Sequence, residues 1–451
     1  MRFIRPIHKR QLSRAIVAAC GMLSCAAANC ASDEVGAGLA EGDGTPDASL
    51  ADSGSDAPLE DAPSRDAAPF DATPPPVECT TKPCATALTS TSVGDAQTVC
   101  ALLDDGTVAC WGANDQGQLG RGDDAGAVDS ATPKRVVGID NVVAIARTCA
   151  VDKNGSAYCW GKGPYLVGDA ADVTTERTPV KLPLERVKKI SVNTNVGCAM
   201  VEDGVVCWGV NTNGQIAPFD GSDRSMPRPP QTVALPPGAK ARDIKVSNAT
   251  LVALEDGSMV SWGASPPLGR VTSLSPDTHP QPLAIAGITT AIAMEIDNGC
   301  AAVSGVGYCW GAGPPNPRNI VDLSRALPTP IALPEPVRQI SMPAQRVLWD
   351  PNRGESLVPN RGCAVGVSGA VYCWGNNTSG QAGDGTKDHA YEAVQVRGLP
   401  APAVKVEPLF DATCALLTSG RIYCWGSDFY GQLGTGNLKV SSLTPQEVLL
   451  P

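Results

Sequence analysis

The chain has 451 residues, with 47 glycines, 39 prolines, 4% aromatic and 18% charged residues. That Gly and Pro content favours turns and short strands over helices. A formal net charge of −11 excludes the basic surface that nucleic-acid binding needs. Three histidines (His8, His279 and His389) supply metal ligation and acid–base chemistry poorly, so no metal, cofactor or catalytic residue is expected.

Residues 1–14 carry five basic residues and no acid, and the apolar run AIVAACGML (15–23) follows. The run is too short to cross a bilayer as a mature helix. A basic segment, a short apolar segment and then small residues read as a secretory signal. The segment resembles a bacterial lipoprotein signal, in which small or apolar residues precede an acylated cysteine. Cys25, after Gly21-Met22-Leu23-Ser24, is the expected lipid site, and Cys20, after Val17-Ala18-Ala19, is the alternative. The plainer reading is an ordinary signal cleaved near Ala28. The signal is placed at 1–25, and the membrane is reached through the lipid alone. Ala26 is not the Asp that resembles an inner-membrane retention signal, so the outer membrane or cell surface is the expected location.

Residues 26–78 form a linker rich in Pro, Ala and Asp. Within it, 31–78 holds 12 acids and one base, Arg65. So few large apolar residues cannot bury enough surface to fold. Mutual repulsion extends such a stalk and the prolines at 74–76 stiffen its end. The stalk carries most of the chain's negative charge, and the rest is only mildly acidic.

Residues 79–451 are repetitive. CALLDDGTVACWG (100–112) returns as CAVDKNGSAYCWG (149–161), CAMVEDGVVCWG (198–209), LVALEDGSMVSWG (251–263), CAAVSGVGYCWG (300–311), CAVGVSGAVYCWG (363–375) and CALLTSGRIYCWG (414–426). The tryptophans are Trp111, Trp160, Trp208, Trp262, Trp310, Trp374 and Trp425, on average about 52 residues apart. Each copy reads as a β-hairpin, with short apolar arms around a DG, NG or SG turn. The three-residue turn at 104–106 sets Ala101 opposite Ala109 and Cys100 opposite Cys110. After several WG pairs comes a glycine-rich loop, as in NDQGQLGRG (114–122) and SDFYGQLGTG (427–436). A Pro-containing segment and a short V-x-x-I strand such as VVAIA (142–146) follow. That makes four short strands per repeat, the content of one propeller blade.

The WG-x-N-x-x-GQLG-x-G loop, the following Pro segment and the CALxxDGxVxxWG hairpin resemble the repeat of the regulator of chromosome condensation family. The secreted beta-lactamase inhibitor protein II has similar repeats. The resemblance covers about residues 85–451 in seven copies and implies an all-β, seven-bladed propeller with four-stranded blades. The family often has a His just before the hairpin, where this chain has Gln97, Arg147 or Asn248. The chain starts with a partial repeat (85–99) and ends soon after its seventh WG loop. Its C-terminal strand is therefore expected to complete the first blade.

Outside the first thirty residues there are 14 cysteines. Cross-strand pairing couples Cys100 with Cys110, Cys149 with Cys159, Cys198 with Cys207, Cys300 with Cys309, Cys363 with Cys373 and Cys414 with Cys424, leaving Cys79 with Cys84. The fourth hairpin has Leu251 and Ser261 at these positions, so both cysteines are absent together. Spacings of eight or nine residues with no His nearby do not suit zinc, and an exported chain suits disulfides. The repeated tryptophans read as packing between blades rather than as an exposed carbohydrate-binding array.

The interval from Trp310 to Trp374 is the longest, at 64 residues, and its excess lies between 342 and 362. That insertion holds Arg346, Trp349, Arg353 and Arg361, residue types enriched where proteins bind one another. Insertions in repeat proteins map to loops on one face. The expected function is an envelope-anchored, monomeric binding module for a protein or cell-surface ligand, without enzymatic activity. Two alternatives stand beside it: guanine-nucleotide exchange, which the family resemblance implies, and an enzyme with a site assembled from distant loops. A purely structural role is a third.

Overall fold

The computed structural model describes residue 71 and residues 73–451, apart from 81, 94, 124–125, 166–171, 297, 312–326, 344–346, 351–353 and 358–360. The expected signal, Cys20, Cys25 and the linker as far as residue 70 lie outside the described residues.

Seven four-stranded antiparallel sheets follow one another along the chain and close into a ring, a seven-bladed β-propeller. The blades span 85–135, 142–181, 187–233, 241–282, 289–330, 337–395 and 403–447. In blade 1 the strands are Ala85–Val93, Ala96–Leu103, Val108–Gly112 and Ser130–Arg135, from the centre outwards. The V-x-x-I segment is the innermost strand of its blade, the two hairpin arms come next, and the Pro segment lies outside.

The hairpin register is the one the turns dictate. Cys100 lies opposite Cys110 and Ala101 opposite Ala109. The shorter fifth hairpin sets Cys300 opposite Cys309. All seven expected cysteine pairs are bonded, the six in hairpins with Cα atoms 4.0–4.1 Å apart. In the fourth hairpin Leu251 faces Ser261, and the buried Ser261 hydroxyl donates to the Leu268 carbonyl at 2.7 Å. Packing and one hydrogen bond replace the covalent link there.

The apolar core is divided into seven seams, one between each pair of neighbouring blades. Every repeat tryptophan is almost fully buried in the seam with the blade before it. Burying an indole strands its N–H unless a partner is supplied. For six of the seven the preceding blade supplies a backbone carbonyl. Trp160 donates to Gln118, Trp262 to Gln215 and Trp425 to Gln381, each at 2.9 Å. This explains the glycines beside that Gln. A Cβ on Gly383 would lie 2.5 Å from the Trp425 indole nitrogen. The WG glycine has a separate reason: Gly112 has φ +103°, and a Cβ there would sit 2.4 Å from the Gln97 carbonyl oxygen.

Closure of the ring corrects the expectation that the C-terminal strand completes the first blade. The partial repeat at 85–99 supplies a full inner strand, paired from Ala85–Leu103 to Val93–Ala96. The C-terminal strand Ser442–Glu447 stays in blade 7, beside Ile422–Gly426. Blades 7 and 1 meet through the bonds used elsewhere in the ring. Trp111 donates to the Gln432 carbonyl at 2.9 Å, and the Ala85 N–H to the Gly420 carbonyl at 2.8 Å. Val142 to Gly106 and Val187 to Gly155 repeat the second bond at other seams. The segment before blade 1 adds a strap, with Glu78 N–H donating to Thr418 and Cys79 bonded to Cys84.

Two substitutions test this account. Trp111→Phe leaves the Gln432 carbonyl without its indole donor and a gap in the closing seam. It should lower unfolding stability by about 2 kcal/mol, read by chemical denaturation. Leu251→Cys with Ser261→Cys should form a seventh hairpin disulfide, seen as no gain in free thiol. Loop closure offset by the lost Ser261 bond gives a net gain of about 1–2 kcal/mol.

Candidate binding face and central channel

The blade order gives the ring two unlike faces. One carries the tight hairpin turns, where acidic residues serve the backbone. Asp105 accepts the Thr107 hydroxyl and N–H at 2.6 and 3.0 Å and pairs with Arg135 at 2.7 Å. The Thr107 hydroxyl, helped by its N–H and by Arg135, holds the Asp105 carboxyl below its ordinary range against the opposing effect of burial. These carboxylates form turns, as their DG context implies.

The other face carries the turns between first and second strands and the long loops after each WG pair. The loops are braced from within. The side-chain oxygens of Asn114, Asn211 and Asn377 accept the N–H five residues on, at 3.1, 3.0 and 2.7 Å. Asp428 does the same in blade 7, accepting from Leu433 at 2.9 Å, and burial pushes its carboxyl up. The loop glutamines close the turn from inside: Gln118 accepts the Gln116 N–H at 2.7 Å and Gln381 the Ser379 N–H at 2.8 Å. On this braced frame the loops expose Val128, Phe219, Met226, Val271, Leu274 and Phe429.

The innermost strands of all seven blades line a central cavity of about 240 Å³. Several of its charges are tied to one another. Arg147 of blade 2 donates to both carboxylate oxygens of Glu295 in blade 5, at 2.5 and 2.6 Å. Lys405 pairs with Glu407 at 2.8 Å and donates to the Leu88 carbonyl at 2.6 Å. Lys189 pairs with Asp243 at 3.4 Å. Residues 147 and 295 stand far apart in sequence, and no local pattern marks them as partners. Arg147 occupies a position where the family often has His, and here it serves as half of a strut across the channel.

The insertion in blade 6 lies on the long-loop face, between Val337–Ser341 and Gly362–Gly366. It contains its own two-stranded hairpin, Val347–Asp350 with Gly354–Leu357, which pairs Trp349 with Glu355. Arg346 and Arg353 lie outside the described residues. Arg361 does not belong with them, which corrects its assignment to an open ligand site. It is 3% exposed, and its guanidinium donates to the carbonyls of Leu409, Ala412 and Gln381 at 2.7, 2.8 and 2.8 Å and to the Thr413 hydroxyl at 2.5 Å. Burial pushes its pKa down, opposed by Asp411 nearby. The sequence placed it in an insertion, but the insertion's last residue is a bolt into blade 7. His279 is exposed and His389 packs edge-on against Tyr391, with ring centres 4.5 Å apart. Among the described residues, no group of three or more His, Cys, Asp or Glu side chains is placed to hold a metal ion.

A closed ring with one loop-rich face and a channel crossed by ion pairs defines an interaction scaffold of the propeller class. Its repeats identify it further. The regulator of chromosome condensation (RCC1) repeat matches residues 89–118 and 410–432, and a second description of that repeat matches 105–150. Within 89–150 and 410–432 the chain therefore carries repeats similar to the RCC1 repeat. It is 25% identical over 364 residues to the Ultraviolet-B receptor UVR8 of Arabidopsis thaliana, covering 78% of this chain and 68% of that protein. It is 35% identical over 350 residues to the human E3 ubiquitin-protein ligase HERC2, covering 73% of this chain and only 7% of the ligase. Yeast RCC1 (Prp20), solved bound to Kap60, and human WBSCR16 share the fold, each with a TM-score of 0.61 at 18% identity. The yeast match covers 76% of this chain and 84% of that one, and the human match 76% and 95%.

Replacing Arg361 by Met takes one donor from each of three buried carbonyls, of which Gln381 and Ala412 keep others. It should cost about 2–3 kcal/mol in unfolding stability, measured by urea titration.

Proposed function

We propose that this chain is an exported binding module that presents the long-loop face of its propeller to a protein or surface ligand and carries out no chemistry of its own. The observation that carries the reading is the division of labour between the faces. The braced loops and the blade 6 insertion gather on one side, where the loops expose Val128, Phe219, Met226, Val271, Leu274 and Phe429. Rigid loops bind without a large ordering cost. The seven disulfides support an oxidising compartment. With the signal, they support the cell envelope, with a lipid on Cys25 or Cys20.

The relatives support protein partners in a general way, since yeast Prp20 has been solved with Kap60. Guanine-nucleotide exchange is not carried over, because exchange acts on a GTPase in a reducing compartment and the disulfides point elsewhere.

Crosslinking and capture from intact envelopes test the reading. The full chain should enrich a defined partner, and replacing residues 343–360 by a short turn, with Arg361 kept, should reduce that capture at least tenfold. Capture of nothing by the full chain, free thiols with an unprocessed N-terminus, or faster nucleotide release from a small GTPase would each overturn it.

A further inference from the structure

The seam where the ring closes is chemically unlike the rest of the long-loop face. There the loops of blades 1 and 7 enclose a recess of about 530 Å³, lined by Asp95, Asp115, Asp129, Gln116, Ala127 and Tyr430. Beside it stands an apolar ridge. The Phe429 ring packs edge-on against Tyr430, with centres 4.9 Å apart. Phe429, Leu438 and Val440 from blade 7 and Val128 from blade 1 are between 49% and 69% exposed. Exposed apolar side chains crowded at one seam mark a contact surface.

The charge of the recess narrows what covers that ridge. Asp115 accepts only from the amides of Gln116 and Gln118, at 3.2 and 2.8 Å, and Asp129 from the Asn114 N–H at 3.0 Å. These are neutral donors and leave both charges in place. Burial, and the negative charge of Asp115, push the Asp129 carboxyl up, opposed by the Asn114 N–H and by the charge of Lys439. Lys439 itself lies over the Phe429 ring, 5.3 Å from its centre. The chain's own linker carries 12 acids against one base within 31–78, so it does not complement the recess. A second copy would bring the same acidic recess, and an anionic lipid surface is repelled.

Resting on the binding-module reading, we propose that the blade 7 and blade 1 seam docks a basic segment of a foreign protein. A Lys or Arg enters between Asp115 and Asp129, and an adjoining apolar side chain lies on Phe429, Leu438 and Val440. The carboxylates select the sign of charge and speed encounter, while the apolar ridge supplies most of the affinity.

The test uses the full chain with a fluorescein-labelled peptide of alternating Arg and Leu, and a control with Glu for each Arg, read by anisotropy. The Arg peptide should bind, and the Glu peptide should bind at least tenfold more weakly. Asp115→Asn with Asp129→Asn keeps an oxygen for the Gln118 amide and for the Asn114 N–H and gives up only the exposed Gln116 contact, so the fold should survive, checked by an unchanged melting curve. Arg-peptide affinity should fall at least tenfold in that variant and in Phe429→Ser. Raised salt should weaken the wild type more than the double Asn variant. Equal binding of the two peptides, undiminished binding by the double Asn variant, no binding of the Arg peptide, or binding only to anionic vesicles would overturn the proposal. Envelope capture separates this from the broader reading. If wild type and double Asn variant capture one partner equally, the seam proposal fails and the binding module stands. If the wild type captures nothing, the module itself fails.

Discussion

The ring depends on a buried indole N–H that has to find an acceptor. Each repeat places a tryptophan in the apolar seam with the preceding blade, where an unsatisfied donor is costly. One carbonyl at a fixed place in the neighbour's loop satisfies it. The side chain that belongs to that carbonyl is free to vary. Blades 2 and 4 lack the Gly-Gln signature, yet Pro164 and Pro267 present the carbonyl to Trp208 and Trp310, at 2.5 and 2.8 Å. In blade 2 the neighbouring Tyr165 is buried and its hydroxyl donates to the Trp160 carbonyl at 2.5 Å. Blades with degenerate sequences therefore keep the joint.

This explains what could be read from the sequence and what could not. Hairpins were legible because turn length sets register, and register alone places Cys100 against Cys110. The blade count and seam tryptophans were legible because each repeat solves the same packing problem. The closing arrangement was not, since a partial repeat at one end looks like a missing strand. Ala85–Val93 lacks the V-x-x-I signature but pairs along its full length with the first hairpin arm. Arg361 was misjudged for a related reason. Its position in an insertion is visible in the sequence, whereas its four acceptors come from blades 6 and 7 as folded. The Arg147–Glu295 strut is invisible to any local pattern because only the ring brings blade 2 opposite blade 5.

The two faces divide stability from recognition. Short turns and one set of interblade backbone bonds lie on one side, while the bases of the long loops carry the carbonyls that bond the seam tryptophans, so changes at either place act on the joint itself. The long loops on the other side are held by their own Asn, Asp and Gln side chains, and their tips can vary without disturbing the seams. In the channel Arg147 and Lys405 are drawn into ion pairs, while the loop tips expose different side chains on different blades. This is how one scaffold carries different surface chemistry on each blade.

The absence of strand exchange at closure has a topological consequence. A propeller whose last strand completes its first blade has one privileged cut in the ring. Here every blade is built from consecutive residues, and the closing seam uses the bonds of the others. Val77 and Leu450 pack on the same core cluster, so the start and the end of the folded region meet. The ring is thus indifferent to where its chain begins. A new opening in a linker such as 283–288, with the old ends joined, would leave all seven blades intact.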